Sequence, residues 1–393
     1  MAVLPHSDSQ KIVTLPPLSL YVHVPWCVRK CPYCDFNSHD QDGELPEQDY
    51  LSAVLADLTS ELQWVQGRLI SSIFIGGGTP SLMSGDFYQR LLADVEQRIG
   101  FEANIEITLE ANPGTFEQAR FEDYRRAGIN RLSLGIQSFS DQSLKALGRI
   151  HCADESIKAV QAASQLGFER INLDLMHGLP GQSLAAAMAD LQQAMDLGPS
   201  HISWYQLTIE PNTEFYSRPP VLPEDEALWQ IQEQGQALLA CAGYQQYEIS
   251  AYCQPGQQSR HNLNYWQFGD YIGIGAGAHG KITDLQDQRL LRRWKKRQPK
   301  DYMQAGIEAG VYLSGEERIE AEALPLEFMM NAMRLYKGVD ASLFSARTGL
   351  SMAELEPQLA KARSLGLMEP VQESLVPSER GRRFLNDLLQ QFM

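Results

Sequence analysis

The sequence predicts an α/β protein whose parallel strands form a barrel or an open part of one, followed by a small, mostly helical domain. Between Leu18 and Gly243, short apolar runs alternate about six times with segments of helical periodicity, which is the pattern of βαβ units. Right-handed crossovers curl such strands toward a barrel, although a doubly wound sheet has the same alternation. From Leu324 onward, three helical segments and a short apolar stretch resemble a winged helix.

The predicted barrel elements follow one another in close succession. Each strand is a short run rich in apolar, β-branched or aromatic residues, and several of the helices end before a glycine, the residue that most readily ends a helix. The predicted strands are 18–26, 71–75, 104–109, 131–136, 170–175 and 202–207, and the predicted helices are 49–66, 85–99, 115–127, 141–147, 154–166, 184–197 and 224–242.

The alternation stops after Gly243. A strand is predicted for Tyr247–Cys253, and the glycine-rich run Tyr271–Gly280 is interpreted as a strand that allows close backbone approach. The run Arg289–Lys300 has seven basic residues and is either a solvated face or a surface for propionates, anionic lipid or an acidic partner. The remaining predicted elements are helices 324–337, 343–348 and 352–365, a two-stranded wing within 367–376 and a last helix 380–393.

Composition limits the class of protein. The 393 residues suffice for one barrel and a smaller domain, and we divide them into a leader 1–17, a barrel 18–255, a linking segment 256–320 and a carboxyl domain 321–393. The net charge of −16 argues against nucleic-acid binding, which needs a positive surface. No signal-peptide pattern and no long apolar span is present, and six cysteines in so long a chain do not form a disulfide framework, so we expect a cytoplasmic protein.

Three of the six cysteines, Cys27, Cys31 and Cys34, lie within eight residues at the spacing C-x3-C-x2-C. Such density indicates a metal site. A cubane iron–sulfur cluster with three thiolate ligands leaves one iron open to another ligand, whereas structural zinc usually has four protein ligands. The alternatives are a zinc loop that borrows His39 or a distant cysteine, and coincidence.

Polar or flexible residues stand at or near the carboxyl ends of successive predicted strands. Gly76–Pro80 offers backbone amides to a carboxylate or phosphate, unless it is a plain tight turn. Glu110, Gln137, Arg149 and Asp174 suit a ligand that combines an amino acid with a ribose, although each alone is more typical of a surface or cap residue. Strand ends share one rim in βα folds, so these groups are expected to converge.

Two histidines are candidate axial ligands for a porphyrin iron. His261 begins the cluster His-Asn-Leu-Asn-Tyr-Trp, and His279 ends the glycine-rich run. The more common role of such a histidine is a hydrogen-bonded structural residue.

These motifs resemble those of the radical SAM superfamily, and over most of the chain they resemble its HemN-like family. The cysteine loop with Tyr33 and the glycine-rich motif match the superfamily, while residues 21–27, 134–139 and 174–181 match the narrower family. The resemblance implies an open (β/α)6 partial TIM-type barrel with a winged-helix-like carboxyl domain. It also implies a [4Fe–4S] cluster on Cys27, Cys31 and Cys34 and bound S-adenosylmethionine (SAM), with these cofactor-binding residues: Tyr21, Tyr33, Gly77, Gly78, Thr79, Glu110, Gln137, Arg149 and Asp174.

Two positions favour the HemW heme chaperones over the oxygen-independent coproporphyrinogen III oxidases of the same family. The oxidases have a further cysteine two residues after the third cluster cysteine, where this chain has Phe36, and His261–Trp266 matches the chaperones' H-N-x-x-Y-W motif. The resemblance implies that the chain binds heme, with His261 involved, and delivers it to respiratory hemoproteins without acting as a coproporphyrinogen oxidase. Peripheral membrane contact and a homodimer are further expectations, the decarboxylating oxidase is the alternative function, and a DNA-binding regulator is disfavoured by charge.

Overall fold

The computed structural model describes residues 12–41, 43–114, 118–308, 311–370 and 372–393. Most of the predicted leader 1–17 and the start of the predicted helix 115–127 therefore lie outside the described residues. The strands of the described chain are β1 (Leu18–Val24), β2 (Trp26–Cys27), β3 (His39–Asp40), β4 (Ile70–Gly77), β5 (Phe101–Ala111), β6 (Arg131–Gln137), β7 (Arg170–His177), β8 (His201–Gln206), β9 (Gln245–Glu248), β10 (Ala251–Cys253), β11 (Asp270–Ile274), β12 (His279–Asp284), β13 (Arg289–Lys295), β14 (Leu313–Ile319), β15 (Val339–Asp340) and β16 (Ser374–Leu375).

Six strands, β1 and β4 to β8, form the predicted parallel sheet. Each of them pairs with the next of the six along the chain, while the short strands β2 and β3 form a separate pair. A doubly wound sheet requires the strand order to reverse direction. Within these six strands the order never reverses, so the open (β/α)6 barrel is confirmed. The α-helices of the described residues are Glu47–Glu61, Gly85–Arg98, Phe121–Arg126, Asp141–Ala146, Ala153–Gln165, Leu184–Asp196, Glu214–Ser217, Asp225–Cys241, Arg260–Trp266, Pro299–Glu308, Leu324–Ala332, Ser342–Thr348, Met352–Ser364, Glu379–Arg383 and Leu385–Leu389.

The barrel strands alternate between two environments. In β1, the residues Leu18, Leu20, Val22 and Val24 belong to the main hydrophobic core, and none of their surface is exposed. The residues between them bond to other interior groups: the Ser19 hydroxyl lies 2.8 Å from that of Ser72 in β4. Because side chains alternate across a strand, one face of the sheet packs on the helices and the other encloses a polar interior.

The linking segment extends this sheet. β11 pairs in parallel with β1, and β12, β13 and β14 follow it in antiparallel order. The prediction of close backbone approach holds for Gly273, where an added Cβ would lie 2.0 Å from the His279 carbonyl oxygen. Gly275 and Gly277 fall in the turn after β11, both with positive φ, so the run consists of most of β11, a turn and the first two residues of β12.

The basic run is the strand β13 followed by a turn and the start of a helix. Lys295 is 2% exposed, and its ammonium lies 2.6 Å from a carboxylate oxygen of Asp57 and 2.5 Å from one of Glu61. Arg293 is also buried and pairs with Glu61. Both interpretations of the run, a solvated face and a ligand surface, are therefore wrong for these two residues, which fasten the sheet extension to the helix Glu47–Glu61.

The carboxyl part has its own core, which includes Phe328, Phe344, Leu355 and Leu375. Its three predicted helices are present. The strand β16 lies within the predicted wing but pairs with β15, which lies outside it, and Met368 forms an isolated bridge with Pro377. The last helix is interrupted at Phe384. None of the helices in the described ranges is long and apolar enough to cross a membrane.

We predict that Lys295→Ala destabilises the protein by about 3–5 kcal/mol, because it leaves the buried Asp57 carboxylate without a cation and Glu61 with Arg293 alone. Chemical denaturation of the full chain measures this change. Lys300→Ala removes an exposed lysine from the same basic run and is the control, with a change within about 0.5 kcal/mol. Equal stability of the two variants would show that the buried ion pairs contribute little.

Candidate functional site

A cavity of about 300 Å³ lies where the barrel strands end, and we call it the cofactor cavity. It collects the three clustered cysteines and eight of the ten predicted cofactor-binding residues; Tyr21 and His261 are the two that do not line it. The structure thus brings together groups that are up to 147 positions apart in the sequence, from Cys27 to Asp174. The cavity is lined by Cys27, Arg29, Cys31, Tyr33, Cys34, Phe36, Gly77, Gly78, Thr79, Pro80, Glu110, Ala111, Asn112, Ser133, Gly135, Gln137, Arg149, Asp174 and Tyr205.

The cysteine loop leaves β1 through the short strand β2, and the Cys34 amide donates to the Cys31 carbonyl to form a turn. All three thiols are free. Burial raises the pKa of Cys27 to about 11, although a hydrogen bond with the Thr79 side chain acts in the opposite direction. Arg149 donates to the Cys31 sulfur at 3.4 Å, which places a cation beside the loop.

The number and type of donors on this loop fit an iron–sulfur cluster with three protein ligands. Within the described ranges, however, no three His, Cys, Asp or Glu side chains converge as a ready metal-binding group. The thiols share the wall of one cavity, so bringing them onto a cluster requires turning side chains on a single loop and no change of fold. Among the described residues, no fourth cysteine lines the cavity, consistent with one open position.

The glycine run is needed for close packing. An added Cβ on Gly78 would lie 2.5 Å from the Trp26 carbonyl oxygen, and one on Gly77, whose φ is +117°, would lie 2.7 Å from the His23 ring. The Gly78 and Thr79 amides donate to the backbone carbonyls of Val24 and Trp26, each at 2.7 Å. These two amides are not free to hold an anion, so that part of the sequence interpretation is wrong.

Two half-buried carboxyl groups line the cofactor cavity together with the cysteine loop. Glu110 accepts from the Gly77 amide at 3.2 Å, and Asp174 accepts from Ser133 at 2.8 Å and Asn172 at 2.9 Å. Burial, and then the negative charge of Asp174, raise the pKa of Glu110 to about 8. Burial also raises the pKa of Asp174, against its hydrogen bonds. At neutral pH Glu110 therefore holds a proton. A positively charged ligand beside it would lower the pKa of Glu110 and favour loss of that proton.

A cation and two amides complete the wall. Arg149 donates to the Asn112 side chain at 2.6 Å and to the Gly135 carbonyl at 2.9 Å. Gln137 has a φ of +68° at the end of β6, where the pairing with β7 shifts register, and the Tyr205 hydroxyl donates to its side-chain oxygen at 2.9 Å. A guanidinium, amides, a phenol and two carboxyls around one cavity can bind the carboxylate, amine and hydroxyls of a nucleoside-linked amino acid.

Sequence reasoning missed Asn112, Ser133 and Tyr205. Ser133 and Tyr205 lie on β6 and β8, and Asn112 follows the end of β5 by one residue. The strand-end rule that identified Glu110 could have found Asn112 and Tyr205 as well, but nothing local in the sequence distinguishes Ser133 from other strand serines.

The two residues outside the cofactor cavity are hydrogen-bonded elsewhere. The Tyr21 hydroxyl lies 2.9 Å from a ring nitrogen of His23, and its ring stacks on Phe74. His261 is 1% exposed, and both ring nitrogens are occupied, by the Ser72 hydroxyl at 3.1 Å and the Tyr265 hydroxyl at 2.8 Å. In the described conformation His261 has no open nitrogen for an iron. His279 is exposed and stacks on Trp294.

The chain is similar to proteins of the radical SAM superfamily. The Radical SAM superfamily model matches residues 21–194, and the HemN C-terminal domain model matches residues 319–384. The heme chaperone HemW of Escherichia coli (strain K12) is 55% identical over 382 residues, which cover 97% of this chain and 100% of that protein. HemW of Haemophilus influenzae is 52% identical, with 96% and 98% covered.

Among solved structures, the coproporphyrinogen III oxidase HemN of Escherichia coli, a radical SAM enzyme, superposes with a TM-score of 0.81. Its identity is 22%, with 96% of this chain and 90% of that chain covered, so this likeness shows a shared fold. The identity to the HemW proteins, in contrast, is high and extends over nearly the whole length of both chains. The chain belongs to the HemW family of the radical SAM superfamily.

Proposed function

We propose that this protein is a heme chaperone that binds heme and carries a SAM-coordinated [4Fe–4S] cluster. The observation that carries the proposal is the 55% identity, over the full length, to a protein named heme chaperone HemW. Delivery of the heme to respiratory hemoproteins, peripheral membrane contact and a homodimer remain predictions from the resemblance. The net charge of −16 continues to argue against a nucleic-acid partner.

Membership of the radical SAM superfamily implies the cluster and SAM, and the residues of the cofactor cavity fit both. Cys27, Cys31 and Cys34 would hold three irons. Arg149 would bind the carboxylate of SAM, while Glu110 and Asp174 would bind its ammonium and hydroxyls; all three side chains line the cofactor cavity. When bound, the reduced cluster supplies an electron to SAM; the chain's own residues hold and orient the ligand and restrict its access to water.

The alternative is an oxygen-independent coproporphyrinogen III oxidase. The fold is compatible with it, because the HemN structure superposes over nearly the whole chain. Phe36 stands where the resemblance places the oxidase's additional cysteine; it lines the cofactor cavity and is 61% exposed. A phenyl ring there cannot replace a thiol in redox or proton-transfer chemistry, which favours the chaperone.

We predict that anaerobically reconstituted protein contains about four irons and four sulfides per chain. Cys27→Ala, Cys31→Ala and Cys34→Ala should each lose the cluster, as measured by iron and sulfide content. Cys241→Ala is the control, because Cys241 is exposed and lies outside the cofactor cavity. Stoichiometric zinc without iron, or full iron content in the loop variants, would contradict the cluster assignment.

We predict that the affinity for SAM rises between pH 6 and pH 8. Glu110 has a pKa of about 8, so it must lose its proton to pair with an ammonium, and that loss costs less as the pH rises. The increase approaches tenfold per pH unit at the lower end of this window. Calorimetric titration of cluster-loaded protein measures it. Glu110→Gln should abolish the rise while Glu102→Gln, at an exposed position, retains it; an equal rise in both variants would exclude Glu110 as its source.

We predict that reconstituted protein binds about one heme per chain and does not convert coproporphyrinogen to protoporphyrinogen. A heme titration followed at the Soret band and an anaerobic turnover assay on the same sample test both parts.

His261→Ala should lower the free energy of unfolding by about 1–3 kcal/mol, because it removes a buried partner of Ser72 and Tyr265. Robust turnover would restore the oxidase, and a loss of heme binding without a loss of stability would restore His261 as a ligand.

A further inference from the structure

The inner face of the barrel continues across the sheet extension, where part of it is open to solvent. Residues in register on neighbouring strands share one face of a sheet. Tyr21, on the inner face of β1, is in register with Gly273, and Trp294 is in register with His279 on one side and Gly315 on the other. An added Cβ on Gly273 would lie 2.0 Å from the His279 carbonyl oxygen, which joins the two pairs. We call Gly273, His279, Trp294 and Gly315 the outer row.

His279 supplies this row with an accessible imidazole. Its ring stacks on Trp294 and forms no hydrogen bond within the described ranges. Burial, and then the charges of Arg297 and Arg292, lower the pKa of His279, so the neutral imidazole that can bind a metal dominates at neutral pH. The other described histidines are less accessible: His39 is half-buried, and the buried ones are His23, His151, His177, His201 and His261.

Trp294 orients the His279 ring. The two ring centroids are 6.5 Å apart, and the ring planes are inclined by 25°. An added Cβ on Gly315 would lie 2.1 Å from the indole, so the indole lies directly over the backbone of β14. Because the indole is held between Gly315 and the imidazole, it restricts the plane of the imidazole and leaves apolar surface beside it.

The outer row is fastened to the end of the cysteine loop through Asn37. The Asn37 side-chain amide donates to the carbonyls of Ala276 at 3.1 Å and Arg297 at 2.9 Å. An added Cβ on Gly277 would lie 2.2 Å from the nitrogen of this amide, so a glycine is required for the approach. Phe36, the residue before Asn37, is 61% exposed and adds an apolar ring on this side of the molecule.

One guanidinium near His279 is available to an anion. Arg297 is exposed, its Nε donates to the Asn37 side chain at 3.4 Å, and it has no carboxylate partner among the described residues. Arg292, in contrast, pairs with Glu327. The acid Glu317 is in register with Arg292 and therefore lies on the same face as His279. A carboxylate of a bound ligand would turn to Arg297 and away from Glu317.

We propose that the outer row is the heme-binding site, with His279 as the axial ligand of the iron and Arg297 paired with a propionate. This placement rests on the proposed function, since it takes the ligand to be heme. An accessible neutral imidazole, apolar ring surface and an unpaired guanidinium are the groups that an iron porphyrin with carboxylate side chains requires. A site on an open sheet also leaves the heme accessible to a protein that accepts it.

The test uses full-length, cluster-reconstituted protein and two probes, heme and metal-free protoporphyrin. His279→Ala should shift the Soret band and weaken heme binding at least tenfold, with less than a threefold effect on metal-free protoporphyrin, because only heme has an iron to ligate. His279→Cys should bind heme with the absorption spectrum of a thiolate-ligated iron, a change that a merely structural residue would not cause. Iron and sulfide content, unchanged in both variants, shows that the cluster loop has not been disturbed.

Arg297→Ala should weaken both probes about threefold, because both have propionates and the guanidinium is exposed. Arg318→Ala is the matched control, since Arg318 is in register with Leu291 and lies on the opposite face of the extension. Wild-type protein that binds no heme would overturn the proposed function itself. Heme binding unchanged in His279→Ala would overturn the placement alone, and equal losses of the two probes in that variant would overturn His279 as the iron ligand.

Discussion

The polar interior of the barrel is the constraint on which the rest of the structure depends. Parallel strands covered by helices bury one set of side chains among apolar residues, and the alternate set must then satisfy its polar groups within the barrel. A continuous chain of hydrogen bonds does so, from Ser133 and Asp174 through Asn172 to His201 and Tyr247. This chain fixes Asp174 in the cofactor cavity and closes the space beneath it.

The helix Arg260–Trp266, which contains the H-N-x-x-Y-W motif, packs against the strand ends opposite the cofactor cavity. Glu106, near the start of the parallel part of β5, accepts from the amides of Arg260 and His261 and pairs with Arg170. At the other end of the helix, the Arg334 guanidinium lies 4.3 Å from the Trp266 ring centroid and connects the motif to the carboxyl part. The motif therefore joins the barrel core to the core of the carboxyl part. Its aromatic and polar residues perform this structural role without any ligand.

Most of the barrel and most of the cofactor cavity could be predicted because both follow from local pattern. The six strands have strong apolar periodicity, and Glu110, Gln137 and Asp174 were identified by their position at strand ends. Burial and pairing depend on distant residues and could not be predicted. In the sequence, Lys295 stands among six other basic residues. Its burial depends on the carboxylates of Asp57 and Glu61, which are more than 230 positions away. The pairing of His261 could not be predicted for the same reason, since the Ser72 hydroxyl that contacts its ring is 189 positions away.

Asn112 connects the glycine-rich run to the cysteine loop by way of Arg149. Its side-chain nitrogen donates to the Thr79 hydroxyl at 3.2 Å, and its oxygen accepts from Arg149 at 2.6 Å, so both ends of one amide are held by residues of the cofactor cavity. Arg149 also contacts the Cys31 sulfur. A ligand carboxylate at Arg149 would compete with the Asn112 oxygen and the Cys31 sulfur for one guanidinium. Binding at Arg149 and the cysteine loop are therefore linked through this shared donor, which is the physical requirement for coupling between two parts of one site.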